Sequence, residues 1–77
     1  MAGDYKASEF ELKDLLRVNG GHALAHYELG KLYDEMNRPD DAEQEYTIFL
    51  DMWSEADEGL PQLVDARKRL EALQARP

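Results

Sequence analysis

Few residues in this 77-residue chain are equipped for chemistry. His22 and His26 lie four apart, so on a helix both could face one metal ion. Two ligands do not make a site, no HExxH pattern surrounds them, and a third ligand would have to come from elsewhere. The pairs Asp34-Glu35 and Asp40-Asp41 place carboxylates next to each other. Neighbours on a helix point to different sides, whereas general acid–base work needs a carboxylate in a pocket with a perturbed pKa. Surface solvation and helix-start electrostatics account for these pairs better. With no cysteine and only two histidines, nucleophilic catalysis has little material. We expect no catalytic residue, no metal and no cofactor, and we expect the chain not to be an enzyme.

Composition narrows the partners. Seventeen acidic and nine basic side chains leave a net charge of −8. No Lys/Arg cluster is present for a phosphate backbone to bind, so nucleic acid is disfavoured. No stretch approaches the roughly 20 apolar residues of a membrane span, and the start MAGDYKASEFE lacks a basic-then-apolar signal pattern. Lack of cysteine suits a reducing cytoplasm, the expected location. Below about 80 residues one core rarely supplies more than about 3–5 kcal/mol, so stability must come from helix packing or association.

Proline at 39, 61 and 77 and the glycine pair at 20–21 punctuate the chain into four segments. None shows strand-like alternation. The expected fold is all-α, with four antiparallel helices over about 4–18, 22–36, 39–54 and 61–75 in one domain. In the first, Tyr5, Ser8, Leu12, Leu15 and Leu16 recur at helical spacing, and Asn19-Gly20-Gly21 stops it. In the second, Ala25, Leu29, Leu32 and Met36 line one face, and Asn37 is expected to end the helix and cap the next. In the third, Ala42, Tyr46, Phe49, Leu50 and Trp53 form a continuous stripe behind Pro39, which fits a first helical turn. The fourth has an apolar seam of Leu63, Ala66, Leu70 and Leu73.

A shift of 34 residues superposes these segments. It places Ser8 on Ala42, Leu12 on Tyr46, Leu15 on Phe49 and Leu16 on Leu50. It also carries His26, Leu29, Leu32 and Met36 onto Leu60, Leu63, Ala66 and Leu70. Self-similarity at such a period is the mark of a repeat architecture.

The segment His26-Tyr27-Glu28-Leu29-Gly30-Lys31-Leu32-Tyr33 resembles the tetratricopeptide-repeat (TPR) pattern W-x-x-L-G-x-x-Y, with His26 in place of the Trp. Ala42 and Tyr46 follow at the family's spacing, and Ser54 stands where Pro is usual. The motif residues are His26, Leu29, Gly30, Tyr33, Ala42, Tyr46 and Phe49. Glycine inside a helix costs roughly 1 kcal/mol relative to alanine, so Gly30 points to a close helix–helix approach. The resemblance implies a complete repeat over 22–54, the second helix of a preceding repeat over 3–20, and a C-terminal capping helix over 60–75. The last departs from the motif, with Val64 and Arg67 in place of Gly and Tyr.

The resemblance further implies a non-enzymatic scaffold that binds a protein or peptide on a concave face. Leu24, Tyr27, Glu28, Lys31, Asp34 and Glu35 would line that face. Its mixed aromatic and charged character favours an extended or helical peptide with some basic character. The alternative is a structural oligomerisation module of a larger signalling protein or enzyme. Because about three repeats are normally needed for stability, weak self-association is expected through Tyr5 and Phe10.

Overall fold

The structure, a computed structural model, describes residues 4–19, 22–54 and 59–75. Four α-helices follow in order: α1 (Tyr5–Val18), α2 (Ala23–Glu35), α3 (Pro39–Met52) and α4 (Pro61–Gln74). Among the described residues there is no strand, as the helical spacing predicts. The glycine pair expected to stop α1 lies outside the described residues.

Local chemistry explains the helix ends. Asp4 caps α1 by accepting the Ala7 N–H at 3.2 Å, satisfying one of the free donors of the first turn. His22 caps α2 in the same manner, its Nδ1 accepting the Ala25 N–H at 3.3 Å. At the other end of α2 the Arg38 N–H reaches back to the Tyr33 carbonyl at 2.8 Å, and the Asn37 N–H to that of Asp34 at 3.2 Å. This paired closure requires a left-handed residue between them, and Asn37 supplies it with φ 63°. Asn37 therefore ends α2 as expected but does not cap α3. Arg38 holds that position, without a side-chain cap bond, and Pro39 opens the first turn with Asp40 and Asp41. The reason is geometric: the residue spent on the left-handed turn cannot also adopt the extended conformation of an N-cap.

α2 packs most extensively on α3, while α4 packs on α3 and α1 on α2. Tyr46 and Phe49 of α3 are fully enclosed, as are Ala42 and Ala66. Phe49 lies 5.1 Å from the Tyr27 ring and 4.9 Å from Trp53, and Tyr27 stands 6.4 Å from Tyr46. Aromatic pairs at such spacings add stabilisation beyond the area they bury. Leu29, Leu63 and Tyr33 complete the centre. α1 contributes no fully buried residue; Tyr5, Leu12 and Leu16 are half-buried against the core.

Candidate functional site

Two polar clusters tie the helices together. In the first, Glu9 of α1 accepts the Tyr33 hydroxyl at 2.9 Å and pairs with Lys13 at 2.9 Å. Arg38 approaches the same carboxylate at 3.5 Å, lies 4.5 Å over the Tyr33 ring, and bonds Asp41 at 2.8 Å. The Lys13 ammonium, followed by the Tyr33 hydroxyl, holds the Glu9 carboxyl below its usual range. In the second, Asp65 of α4 accepts the Tyr27 hydroxyl and the Arg69 Nε, the latter at 2.7 Å. Arg69 extends to Asp34 of α2 at 3.5 Å. The Tyr27 hydroxyl, then Arg69, keeps the Asp65 carboxyl below its ordinary value. A further pair joins His26 Nδ1 to Glu45 Oε1 at 2.7 Å across α2 and α3.

These contacts decide which sequence-predicted residues are accessible. Tyr27 was expected on the open concave face. It is instead 7% exposed, its ring packed on Phe49 and its hydroxyl spent on Asp65. Asp34 is half-buried and engaged by Arg69. Leu24, Glu28 and Glu35 are exposed, and Lys31 is half-exposed, 3.3 Å from Glu28 and 4.8 Å over the Tyr27 ring. His26 is half-buried on Glu45 rather than filling an apolar core position. Tyr5 lies half-buried against the core. Phe10 is 72% exposed, beside a shallow hollow with Lys13, Asp14 and Arg17.

Glu28, Lys31 and Glu35 converge on an open groove of about 600 Å³ between α1 and α2. Its floor is apolar: Leu12 and Leu15 of α1 meet Leu32 of α2, beside the small Ser8. Glu11 stands on the α1 side and Arg69 closes the end nearest α4. Of the six α2 residues expected on a concave face, Glu28, Lys31 and Glu35 line this groove and Leu24, Tyr27 and Asp34 do not; the α1 wall was not anticipated. The signal was present in the 34-residue correspondence, since Ser8, Leu12 and Leu15 match Ala42, Tyr46 and Phe49.

Those three matching residues of α3 receive α2. An ideal Cβ on Gly30 would lie 2.6 Å from Tyr46 Cε1, so the glycine permits the approach. This is the close helix crossing that the spacing of Gly30, Ala42 and Tyr46 implied. The family model for the tetratricopeptide repeat matches residues 1–47, more than half of the chain. The chain belongs to the tetratricopeptide repeat family. The match covers α1, α2 and α3 as far as Thr47. No curated protein and no solved structure matches. TPR modules are in general protein-interaction scaffolds, typically without enzymatic activity. No helix among the described residues of this TPR chain is long and apolar enough to cross a membrane.

The buried tyrosines give this TPR unit a distinct alkaline limit. Burial, and then donation to Asp65, pushes the Tyr27 hydroxyl up to about 12 from an ordinary 10.0. Burial also raises Tyr33 and Tyr46, and Tyr33 is raised further by its bond to Glu9. A folded-state pKa above the unfolded value means stability that is complete below pH 10 and lost as pH rises toward 12. Tyrosinate absorbance at 295 nm from these three residues is therefore expected to rise together with loss of the helical signal at 222 nm. Their ionisation in a chain that keeps full helicity would contradict this.

Proposed function

We propose that this chain is a non-enzymatic scaffold that captures another protein in the groove between α1 and α2. In this reading α2 and α3 form a complete repeat over 22–54, α1 is the second helix of a preceding repeat, and α4 is a C-terminal cap. The observation that carries the proposal is the groove itself. An apolar floor of Leu12, Leu15 and Leu32 lies open between charged rims, although the neighbouring α2–α3 contact is fully closed around Ala42, Tyr46 and Phe49. Concave apolar surfaces with a few polar groups at their edge are the usual form of a binding site.

The occupant is a peptide or protein segment with basic character. Glu11, Glu28 and Glu35 outnumber Lys31 and Arg69 around the groove, and the chain carries net charge −8. Such complementarity steers encounter more than it adds affinity. Leu24, at 36% exposure, extends the apolar surface along α2, while Tyr27 and Asp34 shape the α2 surface from within.

A second reading, self-association, draws on Phe10 and Val18, which are 72% and 75% exposed on α1. One experiment separates the two. A photo-crosslinking residue is placed in cells at Leu15 in the groove, at Phe10 on α1, or at exposed Thr47 on α3. A discrete heterologous adduct from position 15 alone is the expected result. Equal yields from 15 and 47 would sink the groove reading, and a homodimer adduct from position 10 would favour assembly.

A further inference from the structure

The four helices are held unequally. α2, α3 and α4 each bury at least three residues, whereas α1 buries none. α1 sets Tyr5, Leu12 and Leu16 half-buried against the core and leaves Phe10, Leu15 and Val18 exposed. Little further apolar area returns to water when it leaves. Segments with few buried apolar contacts open at a lower free energy than the core does. An outermost position is not the cause. α4 is outermost on the other side, where it packs on α3, yet it buries Leu63, Ala66 and Leu73.

A single carboxylate oxygen fastens α1. Glu9 Oε2 accepts the Tyr33 hydroxyl of α2 at 2.9 Å and the Lys13 ammonium of α1 at 2.9 Å. The Arg38 guanidinium, from the residue before α3, stands 3.5 Å from the same oxygen. Arg38 in turn bonds Asp41 of α3 at 2.8 Å. One atom thus ties α1 to α2 directly and to α3 through Arg38. While Glu9 is ionised, the two acids and two bases of this set balance. Protonating Glu9 leaves Lys13 and Arg38 converging on a neutral group.

We propose that α1 undocks from the other three helices as a unit of its own, and that the ionised Glu9 is the latch that keeps it docked. A 14-residue helix is marginal on its own in water, so the undocked segment also loses its helical hydrogen bonds. α1 supplies Ser8, Glu11, Leu12 and Leu15 to the groove, so the groove exists only while the latch is closed. A protein captured there binds the latched form alone, and its apparent affinity falls with the fraction unlatched. That consequence rests on the groove as the partner site; the opening itself does not. The latch is sensitive to acid. The groups facing Glu9 are Lys13 on α1, Tyr33 on α2 and Arg38 before α3, with Asp41 of α3 behind Arg38. Lys13, then Tyr33, holds the Glu9 carboxyl below its ordinary 4.5. A depressed folded-state value means a contribution that is present above pH 4.5 and lost as pH falls below it.

Hydrogen exchange of the 77-residue chain, followed amide by amide by NMR with no partner present, tests the latch. After correction for intrinsic rates, α1 amides at residues 12–16 are expected to exchange at least about ten-fold faster than α3 amides at residues 45–49. Glu9→Gln keeps an acceptor for the Tyr33 hydroxyl but removes the charge. It should speed exchange in α1 about five-fold, the size of one partly exposed ion pair. Leu63→Val trims the packing of α4. It should speed exchange in α3 about five-fold and leave α1 unchanged, because α1 opens while α4 stays in place. Taking the wild-type chain from about pH 6 to about pH 3.5 should reproduce the Glu9→Gln effect in α1 and add little to it in the variant. One common rate for α1 and α3, equal acceleration of both by Leu63→Val, no response of α1 to Glu9→Gln, or the same acid response in variant and wild type would overturn the inference. Because no partner takes part, a missing adduct at position 15 would remove the groove's occupant and not the latch.

Discussion

Replacing Phe49 with alanine is expected to leave the chain largely unfolded at room temperature. Phe49 is 0% exposed and sits between the rings of Tyr27 and Trp53. It links α3 to α2 at the centre of the most extensive helix contact in the molecule. Truncating a buried Phe to Ala costs about 3–5 kcal/mol. The whole net stability of a domain this small is of similar size, about 3–5 kcal/mol. No disulfide can compensate, since the chain has no cysteine. Urea unfolding followed at 222 nm checks this. A cooperative transition retaining more than half the native stability would mean that the aromatic cluster carries less of the fold than its burial implies.

The second large effect is expected at Gly30. An added Cβ would lie 2.6 Å from Tyr46 Cε1, 2.7 Å from Cδ1 and 3.0 Å from Cζ. Contacts this short require something to move, and the Tyr46 ring is fully enclosed. Alanine would gain roughly 1 kcal/mol in helix propensity over glycine, against an overpacking cost of about 1–3 kcal/mol. Gly30→Ala should therefore lose little or up to about 2 kcal/mol. Gly30→Val adds two methyl groups and gives up part of the propensity gain, so a loss of roughly 3 kcal/mol is expected. Tyr46→Leu in the Gly30→Ala background removes the clash, and the two changes should be strongly non-additive. Simple additivity in that cycle would show that the ring yields freely and that the glycine is merely tolerated.

Much of the fold was legible in the residues. Pro39 and Pro61 mark the first turns of α3 and α4 because their missing N–H costs nothing there. The 3.6-residue spacing of Ala42, Tyr46 and Phe49 identified the face that ends fully buried. Gly30 announced a close crossing because its presence in a helix needs a reason. Asn37 was harder. An Asn between two helices suits either a left-handed closure or an N-cap, and only the hydrogen bond from the Arg38 N–H to the Tyr33 carbonyl distinguishes them.

The accessible site was less legible. Tyr27 occupies a surface position by helical phase, yet Asp65 lies 38 residues away and draws it inward. Asp34 is claimed by Arg69 in the same manner. The α1 wall of the groove also escaped, because whether Leu12 and Leu15 are covered depends on whether a helix lies against them.

The sequence by itself determined what local forces decide: four helices, the first turns of α3 and α4, the apolar seams, and membership of a repeat family through Gly30, Tyr33, Ala42 and Tyr46. These follow from hydrogen-bond geometry and side-chain spacing within a few residues of each position. The tertiary structure alone decided which polar side chains remain available, since burial and ion pairing join residues distant in the chain. It turned Tyr27 and Asp34 into internal ties and left Glu28, Lys31 and Glu35 facing an open groove. The physical reason is that desolvation acts on whatever the neighbouring helix covers, and no local pattern states which helix that will be.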